Sequence, residues 1–201
     1  MNYGELFSLI QRYTKRADLD DLIPDWIRFA QKRIDTDCRL AQQEFRSVTI
    51  PTESFITLPA DFLELRNIQT AYQGALPLRY MTPFQLDEVK RKVSGGPVQY
   101  YTIMDNQLEL WPAPQSDSVA EMEIFYYAKQ ALLTQDDETT RVLLAYPNLY
   151  VYATMIESMP FIENDTGLKR WQDLYAGLVG ALNDSAQRAR FSGDTLQMRA
   201  S

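Results

Sequence analysis

Residues 98–111, VQYYTIMDNQLELW, decide the fold in the middle of this chain. Two runs rich in tyrosine, isoleucine and leucine flank Asp105-Asn106, and these two residue types favour a tight turn. Pro112 follows the second run and ends it, because proline has no N–H to donate to a neighbouring strand. The stretch therefore predicts an antiparallel hairpin with strands at residues 98–104 and 107–111.

The flanking sequence predicts more strands. Residues 45–50, 54–58 and 63–72 have strand composition, and residues 120–126 alternate between apolar and polar positions. One short helix interrupts them: Thr82 can cap it, Pro83 suits its first position, and Gln85 can complete a capping box. Gly95-Gly96-Pro97 follows that helix. Together these patterns predict a β-rich region over residues 44–128.

Helices are expected on both sides of this region, over residues 3–40 and 137–190. Residues 3–13 suit one short helix. Asp20 or Asp21 can cap the next, with Pro24 in its first turn. Its apolar face comprises Ile23, Trp26, Ile27, Ala30 and Ile34.

The C-terminal half repeats the helical periodicity. One predicted helix ends at Pro160, and its apolar stripe comprises Leu149, Tyr152, Ala153 and Ile156. Asn164 or Asp165 can cap the last helix, residues 165–190, which would span roughly 39 Å at 1.5 Å per residue. Its narrow stripe suits packing against a helix of the same or another subunit. The stripe comprises Leu168, Trp171, Tyr175, Leu178, Leu182 and Ala189.

These patterns predict an α+β fold: a helical bundle with a central inserted antiparallel β-rich region and an extended C-terminal arm. We expect residues 1–190 to form a single folded domain. Residues 191–201 contain a glycine and few core residues, so we expect an arm beyond the folded body.

Composition argues against several kinds of chemistry. The 201 residues carry a net charge of −7, which does not favour broad binding to nucleic acid. Residues 187–201 carry +2 and the other 186 carry −9, so a basic tail follows an acidic body. The chain has no histidine, which excludes histidine-based triads and removes the commonest general base. Cys38 is the only cysteine, so an internal disulfide or a zinc cluster cannot form.

The N-terminal sequence lacks the features of a secretory signal, and no apolar run reaches the roughly 20 residues of a spanning helix. We expect synthesis in a host cytoplasm and no membrane association. We also expect no catalytic residues, no cofactor and no metal site.

Six stretches, taken in order, carry a resemblance over nearly the whole chain. They are residues 58–64 (LPADFLE), 96–102 (GPVQYYT), 108–114 (LELWPAP), 125–129 (FYYAK), 147–152 (PNLYVY) and 192–199 (SGDTLQMR). Their order and spacing resemble those of the head-to-tail adaptor (connector) proteins of tailed bacteriophages, of the short-tailed-phage type.

The resemblance implies a structural virion protein at the head–tail junction. Such a protein would form a homo-oligomeric ring, a dodecamer, that binds the portal protein and presents a platform for tail (nozzle or fibre) proteins. DNA would pass through its channel during ejection without sequence-specific binding. The C-terminal arm would dock on the portal, with Gly193 at a turn and Leu196 and Met198 as apolar anchors. The portal-binding residues implied are Phe191, Ser192, Gly193, Asp194, Thr195, Leu196, Gln197, Met198 and Arg199.

Three alternatives stay open from the residues alone. The chain could be another phage tail or baseplate component. It could be a carbohydrate-binding module that uses exposed tyrosines, with Tyr100, Tyr101, Tyr126 and Tyr127 as candidates. It could also be a hydrolase built on paired carboxylates, for which the candidates are Asp61 with Glu64, and Asp136, Asp137 and Glu138.

Overall fold

The polypeptide leaves one structural unit at Gln43 and returns to it at Lys129. The structure, a computed structural model, describes residues 1–70, 76–114 and 121–191. The helical unit comprises Met1–Gln43 and Lys129–Ser201, and the β unit comprises Glu44–Ala128. The α+β class with antiparallel sheets is confirmed. The single domain over residues 1–190 stays a prediction.

The described part of the helical unit contains five α-helices. They are α1 (Tyr3–Thr14), α2 (Ile23–Asp37), α4 (Arg141–Ala145), α5 (Pro147–Ile162) and α6 (Asp165–Phe191); α3 (Pro83–Lys90) belongs to the β unit. Short 3-10 helices occupy Ala17–Leu22 and Ala41–Gln43. A capping box between Asn2 and Glu5 starts α1 and satisfies N–H groups that its first turn leaves free.

The start of α2 differs from the prediction that Asp20 or Asp21 caps it. Leu22 holds the N-cap position and makes no side-chain capping bond. The preceding 3-10 helix runs directly into α2, and the Asp20 carboxylate accepts a hydrogen bond from Gln11 Nε2 at 2.8 Å instead. Pro24 does lie in the first turn, as predicted.

Helix α5 lies at the centre of the helical unit and packs against α1, α2 and α6. The predicted stripe was too narrow, because Tyr150, Val151, Thr154 and Met155 are also buried. A helix that is apolar on most sides has neighbours on most sides. The predicted α2 face is confirmed, since all five of its residues are buried in the same core.

Pro160 does not end α5. The helix continues to Ile162 and closes at Glu163, which has a left-handed conformation (φ 53°) and donates its N–H to the Met159 carbonyl. Proline at this position removes only one intrahelical hydrogen bond near the end of the helix, so the last turn still forms.

The described residues of the β unit, 44–70, 76–114 and 121–128, form two four-stranded sheets. Its strands are β1 (Glu44–Thr49), β2 (Phe55–Thr57), β3 (Phe62–Thr70), β4 (Leu76–Pro77), β5 (Arg79–Tyr80), β6 (Tyr100–Met104), β7 (Gln107–Trp111) and β8 (Met122–Ala128). The first sheet has the order β1-β8-β3-β4 and the second has the order β2-β7-β6-β5. All described pairs are antiparallel except β5 with β6.

The predicted hairpin is β6 and β7, whose register pairs Met104 with Gln107 across the turn. Asp105 has φ 56°, the left-handed conformation that such turns use. Side chains of both sheets share one core, which includes Ile68, Leu108, Leu110 and Ile124. Helix α3 (Pro83–Lys90) begins with the predicted capping box between Thr82 and Gln85.

Candidate interaction surfaces

Helix α6 is the element from which the predicted arm continues, and its start is closely defined. Asn164 Oδ1 accepts the Gly167 N–H at 2.8 Å, so Asn164 is the capping residue. A Cβ at Gly167 would lie 2.8 Å from the Asn164 amide and 2.9 Å from the Met159 sulfur. Any larger residue at this position would have to displace the Asn164 or the Met159 side chain.

One face of α6 is held by its own helical unit. Tyr175 is buried and donates its hydroxyl to Asp37 Oδ2 at 3.1 Å. Asn183 donates to the Asp37 carbonyl at 2.9 Å and accepts from the Arg39 N–H at 3.1 Å. Five residues of the predicted stripe thus pack in the helical core, mainly on α5 and on the end of α2, whereas Ala189 is exposed; the five are Leu168, Trp171, Tyr175, Leu178 and Leu182.

The opposite face of α6 is exposed. Lys169, Arg170, Asp173 and Leu174 lie on it. Leu174 is one of several large apolar side chains that are exposed in the described chain. In the helical unit the others are Tyr13, Phe29, Leu132, Leu144 and Phe161; in the β unit they are Phe45, Val48, Ile50, Phe55, Tyr80, Phe84 and Met104. Phe84, at 73% exposure, is the most open of them.

The predicted portal-binding residues fall almost entirely outside the described residues. Phe191 is the last residue of α6. Ser192, Gly193, Asp194, Thr195, Leu196, Gln197, Met198 and Arg199 lie beyond the described ranges. The arm therefore stays a prediction.

Three of the five acidic residues considered for catalysis, Asp61, Asp136 and Glu138, make contacts that support the fold. Asp61 Oδ1 accepts the Tyr126 hydroxyl at 3.1 Å. The Glu138 carboxylate accepts the N–H groups of Thr134 and Gln135 at 2.6 and 2.9 Å, which closes the loop before α4. Those backbone hydrogen bonds lower the pKa of Glu138, since they favour its charged form. The Asp136 carbonyl accepts the Gly4 N–H at 3.0 Å, so this loop also anchors α1.

The four tyrosines considered for carbohydrate binding are buried or partly buried. Tyr126 and Tyr127 are both buried, whereas Tyr100 and Tyr101 are both partly buried. Tyr127 donates its hydroxyl to Glu44 Oε1 at 3.2 Å, and Glu44 also pairs with Arg66.

Sequence reasoning missed the buried ion pair of the β unit. Glu109 lies on β7, and Lys90 at the end of α3 donates to it at 2.6 Å. Lys90 also contacts Asp87, one turn earlier on α3. An acidic residue between Leu108 and Leu110 was the available signal, because a buried charge needs a partner.

In residues 1–70, 76–114 and 121–191, no three acidic, cysteine or histidine residues cluster in a way that could hold a metal ion. Within the same ranges, no helix combines the length and apolar character needed to cross a bilayer.

A family comparison defines the class of protein. The SU10 adaptor protein family, a family of phage head-to-tail adaptors, has a family model that matches residues 1–199. The chain therefore belongs to the SU10 adaptor protein family, and its class is structural. A search of curated proteins found no match.

Proposed function

We propose that this protein is the subunit of a ring that binds the portal and provides the platform on which tail proteins assemble. The observation that carries the proposal is the family match, which covers 199 of the 201 residues. Membership in a phage adaptor family implies a location at the head–tail junction of the virion. The copy number expected from the resemblance is twelve.

The surface of the described chain supports assembly into a ring. Large exposed apolar side chains occur on both units. Burying such side chains in an interface between proteins favours association. A cyclic ring joins two different faces of each subunit, so exposed residues on separate elements suit this symmetry.

The C-terminal arm and the folded body have different roles in this proposal, and the arm binds the portal. Helix α6 is anchored on one face and reaches Phe191, where the basic C-terminal segment follows. An extended segment that becomes ordered on binding can wrap a partner. We infer that residues 191–199 hold the portal, with Leu196 and Met198 as its apolar anchors.

Charge supports a channel through which DNA passes without being held. The β unit contains 11 acidic and 6 basic residues, so it carries −5 of the net −7. A surface with more acidic than basic groups repels phosphate, because duplex binding requires basic groups that release counterions. We expect no mobility shift of duplex DNA even at low salt. A shift would contradict this part of the proposal.

Co-sedimentation with the portal ring of the same phage tests the role of the arm. The full-length chain should sediment with the portal, whereas a chain truncated after Arg190 should stay in solution. A matched pair of full-length variants separates anchoring from charge. Replacing Leu196 and Met198 with serine should abolish binding, while Arg199→Gln should weaken it only slightly. Equal binding by the truncated chain would remove the arm from the proposal.

A further inference from the structure

Two polar side chains lie on the buried side of α2, where its other inward residues are apolar. Gln31 and Asp35 are four residues apart, so they project from the same face of the helix. Gln31 is only 1% exposed. Buried polar groups must find hydrogen-bond partners, and both side chains find them in chain segments that lead to or from the β unit.

Gln31 binds the segment through which the chain returns to the helical unit. Its Nε2 donates to the Ala131 carbonyl at 3.0 Å, and its Oε1 accepts the Leu133 N–H at 3.2 Å. The side-chain amide therefore pairs with the backbone as a neighbouring strand would. Residues 129–134 belong to no helix or strand of their own.

Asp35 binds the departing and the returning segment together. Its Oδ1 accepts Gln43 Nε2 at 3.1 Å and Gln130 Nε2 at 3.2 Å, and its Oδ2 accepts the Gln130 N–H at 3.3 Å. Gln43 is the last residue before the β unit, and Gln130 is the second residue after it. One carboxylate thus joins both segments, and all of these residues belong to the helical unit.

A second layer of hydrogen bonds orients the two glutamines. Gln43 is 1% exposed, and its Oε1 accepts the Leu40 N–H at 3.1 Å. Gln130 Oε1 accepts hydrogen bonds from Thr140 Oγ1 at 3.0 Å and from the Tyr150 hydroxyl. Each amide therefore presents its N–H groups to Asp35. Because every partner is buried or half-buried, losing the carboxylate would leave several donors unsatisfied at once.

We propose that Gln31 and Asp35 form a latch that fixes both segments joining the β unit to the helical unit. The two segments, residues 40–43 and 130–133, open together as one local unit while the helical core stays folded. Residues 130–133 belong to no helix or strand, and residues 41–43 form only a short 3-10 helix, so α2 side chains supply hydrogen bonds that hold both segments. Such regions open at lower free energy than a packed core.

Residue-resolved hydrogen exchange on the full-length protein tests this proposal. In Asp35→Ala, the amides of Leu40, Gln130 and Leu133 should exchange about 10- to 100-fold faster, the range expected for lost hydrogen bonds to a charged group. Amides in the middle of α5 should keep their rates. Leu133 is the informative reporter because its own partner, Gln31, is unchanged.

Asp37→Asn is the matched control on the same helix. Its carboxylate accepts the Tyr175 hydroxyl and contacts α6 rather than the two segments, so the three reporters should be unaffected. If Asp35→Ala does not fold, Asp35→Asn keeps one acceptor oxygen and should give the same pattern with a smaller increase. Faster exchange at Gln130 alone, in one segment alone, or equally throughout the helical unit would overturn the latch.

Discussion

The ion pair between Lys90 and Glu109 gives the sharpest prediction for the stability of the β unit. Replacing Lys90 with methionine keeps most of the side-chain length but removes the ammonium group. Glu109, whose side chain is 7% exposed, then loses the partner that lies 2.6 Å away. Breaking a fully buried pair costs about 3–5 kcal/mol. The Lys90 side chain is 28% exposed, so water screens part of the interaction. We therefore expect Lys90→Met to lower the free energy of unfolding of the β unit by about 2–3 kcal/mol.

Hydrogen exchange of the β6 and β7 amides measures this loss within the β unit. A loss of about 2–3 kcal/mol corresponds to roughly 30- to 150-fold faster exchange. Lys92→Met, two residues further along, is the matched control and should change stability by less than about 0.5 kcal/mol. In Lys90→Met with Glu109→Met, stability should return close to that of the natural protein, since no unpaired charge stays buried.

The pH dependence has a definite sign. The hydrogen bond to Glu109 is the main cause that raises the pKa of Lys90. The pair therefore stabilises the fold fully below the ordinary lysine pKa of about 10.4, and this stability is lost as the pH rises through the raised value. The difference between the natural protein and Lys90→Met should be constant from about pH 7 to 9 and should shrink above about pH 10.4. A single variant as stable as the double variant at neutral pH would refute the reasoning.

Three further predictions concern single side chains. Thr82→Ala should destabilise α3 by about 1 kcal/mol, measured by exchange within α3, whereas Thr82→Ser should be nearly neutral. Burial raises the pKa of the Cys38 thiol to about 12, so iodoacetamide should label it at pH 8 only after unfolding in urea; labelling of the native protein at the rate of a free thiol would contradict its buried position. Tyr175→Phe should cost about 0.5–1.5 kcal/mol because it removes the donor to Asp37, and an unchanged thermal midpoint would show that this hydrogen bond contributes nothing.

Local signals in the sequence predicted local structure well. The capping box at Thr82, the turn at Asp105-Asn106 and the buried face of α2 are each determined by residues close together in the chain. Pro160 shows the limit of such rules, because its effect depends on how near it lies to the helix end. Strand order could not be predicted from local patterns. For example, β1 pairs with β8, and these strands are far apart in the sequence.

Polar contacts between residues far apart in the sequence were not predicted. The polar contacts of Gln31, Asp35 and Glu109 connect segments distant in sequence, so periodicity assigned them no role. Tyr127 likewise donates to Glu44 of β1, which pairs with Arg66 of β3. Recognition of the family came instead from the order of six short stretches over the whole chain, and the family match confirms it.

Imaging by negative stain tests the central claim, that this chain is an adaptor ring subunit, most directly. Purified full-length protein is mixed with the portal ring of the same phage. The chain truncated after Arg190 is mixed with the portal ring in a separate sample. We predict that full-length protein forms a second ring stacked coaxially on the portal. Absence of stacking by full-length protein at saturating concentration would contradict the adaptor role and favour another tail component.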